Sequence, residues 1–193
     1  MTNLAWCDTE TNGLFPHTCH LLELALAVTT PQLEIIATQS WILLQAEALE
    51  KLLESTPERV QKMHLDNGLW ADILAGKYNP NAEAEACAFL DKHGCCGVQP
   101  DGKTYRSPLC GNSVGFDRSF LKAKMPTLER KFHYRNIDVS SIKELVDRWF
   151  VPGMQYNPGT DARHRALDDI KNSIRQLRHY KAKVFNPHAR VSL

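Results

Sequence analysis

The apolar positions along the chain change period several times, and each change marks an element. Leu4-Ala-Trp-Cys7 is a short apolar run leading into Asp8, after which Leu22, Leu24, Leu26 and Val28 alternate around Glu23, Ala25 and Ala27. Leu33 to Thr38 is again apolar and β-branched, so three strands fit the pattern. Asn12-Gly13 and Pro16 punctuate the first connection, and Thr30-Pro31 marks a tight turn. The second and third strands are therefore expected to form a hairpin, and the sheet to begin antiparallel. From Gln45 onward helix formers take over, with Leu49, Leu52 and Leu53 on one face, until Thr56 offers an N-cap and Pro57 the first position of a new helix. Asn81 precedes another helix over 82–93, which Gly94 ends.

Residues 94–108 carry glycines, prolines and an Asp101-Gly102 pair, and read as an exposed loop or small hairpin inserted between elements. Leu109 to Gly111 predicts a short buried strand, Asp117 to Lys124 a helix, Asn136 to Val139 a strand end and Ser140 to Trp149 a helix. Pro152 to Gly159 is a loop. In the last helix Leu167, Ile170, Ile174 and Leu177 recur at spacings of three, four and three and define one buried stripe.

A chain of 193 residues, 43% of them hydrophobic, can bury a full core. That excludes a disordered chain and a small disulfide scaffold, and one domain over 1–193 is expected. The mainly apolar stretches, 21–28 and 41–44, fall far short of the ~20 residues of a membrane span. Met1 is not followed by a basic segment and a long apolar run, so a soluble, cytoplasmic protein is expected. Six cysteines form no CxxC pair, and the loose groupings of His17, Cys19 and His20 and of His93, Cys95, Cys96 and Cys110 lack zinc-type spacing. Ordinary reduced thiols are expected.

The net charge of +1 hides a split. Residues 1–91 hold four Lys/Arg against thirteen Asp/Glu, whereas residues 92–193 hold nineteen against nine. An acidic part able to hold cations beside a basic part able to hold phosphates suits a metal-dependent enzyme of nucleic acids.

Candidate ligands follow. Asp8 and Glu10 are two apart at the end of a strand, where the period of two points both toward one face. Their oxygens are what Mg²⁺ or Mn²⁺ prefers. Asp117 follows a glycine-bearing turn and can be aimed at the end of the sheet, or be an ordinary first-turn residue favoured by the helix dipole. His164 and Asp169 are five apart, about 140° round an ideal helix, so they converge only if the histidine lies on the preceding loop or first turn. Asp169 shares an edge of the last helix with the small residues Ala166 and Ser173, whereas Asp168 lies on the opposite edge, so Asp169 is the better ligand. Four separated carboxylates and a histidine meet the demands of two-metal phosphodiester hydrolysis, with the ions about 3.5–4 Å apart and the histidine taking a proton from water.

With these residues in place the chain resembles the DEDD exonucleases of the histidine-containing subgroup, and within them the oligoribonuclease family of 3′-to-5′ enzymes acting on very short RNA. The resemblance rests on D-T-E-T-N-G-L at 8–14, C-G-N-S-V-G-F-D at 110–117, F-H-Y-R-N-I-D-V-S at 132–140 and H-R-A-L-D-D at 164–169. It implies a ribonuclease-H-like α/β fold with a mixed five-stranded sheet flanked by helices. It also implies two Mg²⁺ or Mn²⁺ ions on Asp8, Glu10, Asp117 and Asp169, with His164 as general base. The resemblance further implies a homodimer in which Tyr134 and Arg135 of one subunit reach a 5′ phosphate held by Ser113 and His64 of the other, and Leu14 packs on the bases. The chain departs from the family pattern in three places. D-L-E-M-T-G-L has become D-T-E-T-N-G-L, Arg59 stands where a tryptophan is expected, and the 94–108 segment is longer. A DNA exonuclease of the same subgroup and a catalytically inactive nucleic-acid-binding module remain the alternatives to cleavage of short single-stranded RNA.

Overall fold

The computed structural model describes residues 2–159 and 165–185. Its centre is a five-stranded sheet built from β1 (Leu4–Thr11), β2 (Leu21–Thr29), β3 (Ile35–Ile42), β6 (Leu109–Gly111) and β7 (Asn136–Asp138), in the order β3-β2-β1-β6-β7. The β1–β2 and β2–β3 pairs are antiparallel, and β1–β6 and β6–β7 are parallel. The sheet is therefore mixed, and the change of direction falls at β1. In sheets with parallel strands the crevice beyond the strands' C-terminal ends at such a switch point is where ligands gather.

Helices cover both faces. On one lie α4 (Ala82–Lys92), α5 (Val114–Lys124) and α6 (Pro126–Glu129), packed on Ala5, Cys7, Leu24, Leu26 and Val28. On the other lie α7 (Val139–Trp149) and α8 (Ala166–Lys183), packed on Trp6, Ala25, Ala27 and Cys110. The alternation in β2 thus has a packing meaning. Its large residues fill the space under α4 to α6, while its alanines let α8 lie close against the sheet. All nine β2 residues are buried, as expected of a strand covered on both sides. A third cluster joins Leu22 and Ile42 to α1 (Leu49–Ser55) and α3 (Leu69–Leu74), with α2 (Glu58–Asp66) between them in sequence. Residues 96–106 form a hairpin of β4 (Cys96–Val98) and β5 (Thr104–Arg106).

Several boundaries differ from the sequence expectation. The third strand begins at Ile35, because Leu33 adopts φ 73° in the turn, where its carbonyl accepts hydrogen bonds from the Arg178 guanidinium. The Thr56 hydroxyl does not cap the next helix; it donates to the Leu52 carbonyl at 2.8 Å and closes the preceding one, and α2 starts at Glu58 after Pro57. α5 begins three residues before Asp117, at Val114. The short helices α3 and α6 lie outside the sequence expectation, because they carry too few residues for a periodic signal. Gly111 is required by proximity, since a Cβ there would lie 2.9 Å from the Cys7 carbonyl oxygen of the neighbouring strand. Among the described residues no helix is long and apolar enough to cross a membrane.

Candidate active site

The end of β1 collects acids from both faces of the sheet. Asp8 and Glu10 share the face that carries Trp6, against which α8 packs, and they meet Asp169 from the first turn of that helix. One oxygen from each of Asp8, Glu10 and Asp169 lies within 4.8 Å of the others. Among the described residues this is the only such grouping of three His, Cys, Asp or Glu side chains, and no cysteine group forms one. Asp168 points elsewhere and pairs with Lys171 at 3.3 Å.

Asp117 arrives from the opposite face, on α5. It is buried, and Thr9, which pleating turns to that face, holds it. The Thr9 N–H and hydroxyl donate to Asp117 Oδ1 at 2.9 and 2.7 Å. Asp117 stands outside the three-way group but acts on it: it is the largest of the charge effects that, after desolvation, raise the Asp8 carboxyl well above its ordinary range, with Glu10, Asp169 and Glu23 following. Burial, then Asp169 and Glu23, push Glu10 up to about 8, partly opposed by Arg165. Burial raises Asp117 to about 6 against the lowering effect of the Thr9 hydrogen bonds. These are carboxylates crowded beyond what the protein's own charges neutralise. Hard oxygen donors in that state suit a divalent cation.

A second charged group adjoins the first. The register of β1 and β2 places Glu10 directly opposite Glu23, an arrangement that repels unless compensated. Arg165, at the N-terminus of α8, supplies the compensation: its Nε and Nη2 donate to the two Glu23 oxygens at 2.9 and 2.8 Å, and its Nη1 lies 2.9 Å from Asp72 of α3. This ion pair ties the start of α8, and hence Asp169, to the sheet. Sequence reasoning missed it. The available signal was Glu23 itself, a charge inside an otherwise apolar strand, which requires a buried partner.

The remaining expected residues are spread around this centre. His64 is fully buried; its Nε2 lies 3.0 Å from the Thr11 carbonyl, and its Nδ1 is 3.9 Å from Glu10. A carbonyl only accepts, so Nε2 carries the ring proton, and burial favours the neutral ring. Leu14 is exposed at 72% on the loop after β1. Ser113 adopts φ 51° just before α5, with its N–H donating to Asp138 and to the Ser140 hydroxyl. Tyr134 is exposed at 73%, with the Arg135 guanidinium 5.3 Å from its ring centroid. Among the described residues no hydrogen bond or ion pair joins these two to the acid cluster. His164 lies outside the described residues.

Comparison with known proteins now decides the family. A family profile described as Exonuclease (RNase_T) matches residues 5–177. The chain belongs to that exonuclease family. It is 42% identical to the oligoribonuclease of Streptomyces coelicolor over 95% of this chain and 88% of that protein, and 42% identical to the oligoribonuclease of Shewanella loihica over 95% and 96%. Among solved structures, exonuclease I without ligand aligns with a TM-score of 0.63 at 13% identity, covering 95% of this chain and 43% of that one. The zinc-bound E. coli exonuclease I complex with single-stranded DNA aligns at 0.62 and 14%, covering 95% and 41%. The chain thus spans about two fifths of exonuclease I, and the likeness establishes the mixed sheet with flanking helices as the exonuclease fold.

Proposed function

We propose that the protein is a 3′-to-5′ exoribonuclease that shortens RNA oligonucleotides to nucleoside 5′-monophosphates. The observation that carries this reading is the convergence of Asp8, Glu10 and Asp169 at the end of β1, with Asp117 reaching the same strand end from the other face. These four would hold two Mg²⁺ or Mn²⁺ ions, which supply charge stabilisation for the attacking and leaving oxygens. Water attacks the phosphorus of the last phosphodiester, the bond from phosphorus to the penultimate 3′ oxygen breaks, and a nucleoside 5′-monophosphate leaves. His164, one residue before the anchored Arg165, takes the proton from the water; the 3′ oxygen is protonated by solvent. Neutral histidine is the competent form of such a base.

The preference for short RNA rests on the similarity to oligoribonucleases and on exposed side chains suited to an end-capping role. Leu14 would pack on the bases. Tyr134 and Arg135 would reach across a homodimer to a 5′ phosphate bound by Ser113 of the other subunit, whereas His64, expected as a second phosphate ligand, is fully buried against the Thr11 carbonyl and would support that strand end rather than meet the phosphate. The exposed positions of Leu14 and Tyr134 support that arrangement, since bulky apolar groups in water gain by covering a base or a partner surface.

The test supplies 5′-labelled RNA and DNA of two to about twenty-five nucleotides with Mg²⁺, Mn²⁺ or chelator. Metal-dependent cleavage confined to RNA of a few nucleotides is expected. Processive digestion of long DNA would assign a DNA exonuclease instead, and binding without cleavage an inactive module.

A further inference from the structure

The buried strand position between the two metal-ligand candidates of β1 is occupied by threonine, and nothing in strand packing asks for it. Valine has the same branched shape and suits a buried strand as well, without a hydroxyl to desolvate. Thr9 is only 7% exposed, so its hydroxyl needs a partner inside the protein. It finds one 108 residues away. Oγ1 donates to Asp117 Oδ1 at 2.7 Å, and the backbone N–H of the same residue donates to the same oxygen at 2.9 Å.

Two donors on one oxygen fix a carboxylate's rotation in a way that a single bond does not. Here both come from β1, and both land on Oδ1. Oδ2 is the oxygen that Thr9 leaves disengaged. The residues on either side of Thr9 are Asp8 and Glu10, whose side chains emerge on the opposite face by the pleat alternation. A single strand end thereby holds the acids of both layers in register: even positions meet α8, and the odd position grips α5. Asp117 lies in the first turn of its helix, against the end of the central strand β1, with no other side-chain donor bonded to its carboxylate among the described hydrogen bonds. The D-L-E-M-T-G-L pattern of the resembled family has leucine at this place, so the hydroxyl is a departure of this chain from that pattern.

We propose that Thr9 is a positioning residue that clamps Oδ1 of Asp117 and leaves the other oxygen of that carboxylate to a divalent cation that these acids would hold at the end of β1. The proposal rests on the metal-dependent reading above. It acts through Asp117 and does not touch substrate.

The test is Thr9→Val, which keeps shape and the backbone bond and removes only the hydroxyl, with Thr9→Ser as the rescue. Mn²⁺ binding to the substrate-free protein is measured by electron paramagnetic resonance, and kcat and KM are measured on a short RNA. Removing such an outer partner of a metal ligand typically lowers metal affinity or activity about 10- to 100-fold. Because the N–H bond survives, the lower end is expected: about tenfold weaker Mn²⁺ binding and about tenfold lower kcat, with KM unchanged and Thr9→Ser near the unmodified protein. Should Thr9→Val fail to fold, Thr9→Ala is read in its place. Mn²⁺ affinity and kcat equal to those of the unmodified protein would overturn the proposal, as would a loss of thermal stability alone or a rise in KM alone. An unmodified protein that neither binds Mn²⁺ nor cleaves RNA would instead overturn the functional reading on which the proposal stands.

Discussion

Two groups of carboxylates lie side by side at the end of β1, and they are built on opposite principles. In one, Glu23 and Asp72 grip the Arg165 guanidinium in a partly buried network with matched geometry. In the other, Asp8, Glu10 and Asp169 approach within 4.8 Å, and the charges acting most strongly on Asp8 are further carboxylates. A buried charge is tolerable when paired and bonded, so the first group is structural and complete as it stands. The second keeps its repulsion, which is what a site for a divalent cation requires before the cation binds. The lesson is that the number of acids does not distinguish a metal centre from a structural network; the balance of charge around them does.

The contrast can be broken by exchanging the roles. Asp169→Asn should lower turnover by at least about a thousandfold, since a ligand to a metal that stabilises the transition state supplies several kcal/mol. The same variant should melt no lower than the unmodified protein in chelator, because it relieves repulsion. Product ladders and melting curves check both halves, and near-normal turnover would remove Asp169 from the centre.

Arg165→Met should act the other way, costing about 3 kcal/mol of stability by leaving Glu23 buried without its guanidinium. Urea unfolding measures this, and adding Glu23→Gln to the same chain should recover most of the loss. A change under about 1 kcal/mol would make the network no stronger than a surface pair.

The dependence on pH sharpens the comparison further. The folded protein holds the Glu10 proton up to about 8, whereas the ordinary value is 4.5, so the site's contribution to metal-free stability is fullest below the ordinary value and is lost as pH rises through about 8. Mn²⁺ should reverse that slope, because the ion binds the deprotonated acid. Melting temperatures with chelator and with Mn²⁺ across this range provide the check, and parallel profiles would refute it. The smallest effect is expected where charge is paired in water. Lys62 and Asp66 are 2.7 Å apart on α2 with side chains 74% and 59% exposed, and Lys62→Ala should shift unfolding by about 0.5 kcal/mol or less.

Asp8, Glu10 and Asp169 were legible in the chain because period and spacing are local properties. A period of two puts Asp8 and Glu10 on one face of a strand, and the helical repeat separates Asp169 from Asp168. The leucine–alanine alternation of β2 likewise announced a strand, and the Leu167, Ile170, Ile174 and Leu177 stripe announced α8. What no local rule contains is which face meets which helix. That Thr9 and Asp117 share a bond across 108 residues, that Glu23 faces Glu10, and that Arg165 answers Glu23 and Asp72 together follow from strand order and register. Chain-local preferences chose the elements and the chemistry of the ligands. Only packing the two helical layers on the sheet decided which charges were matched and which were left to gather at one strand end, since Coulomb energies depend on distances through space and burial, not on separation along the chain.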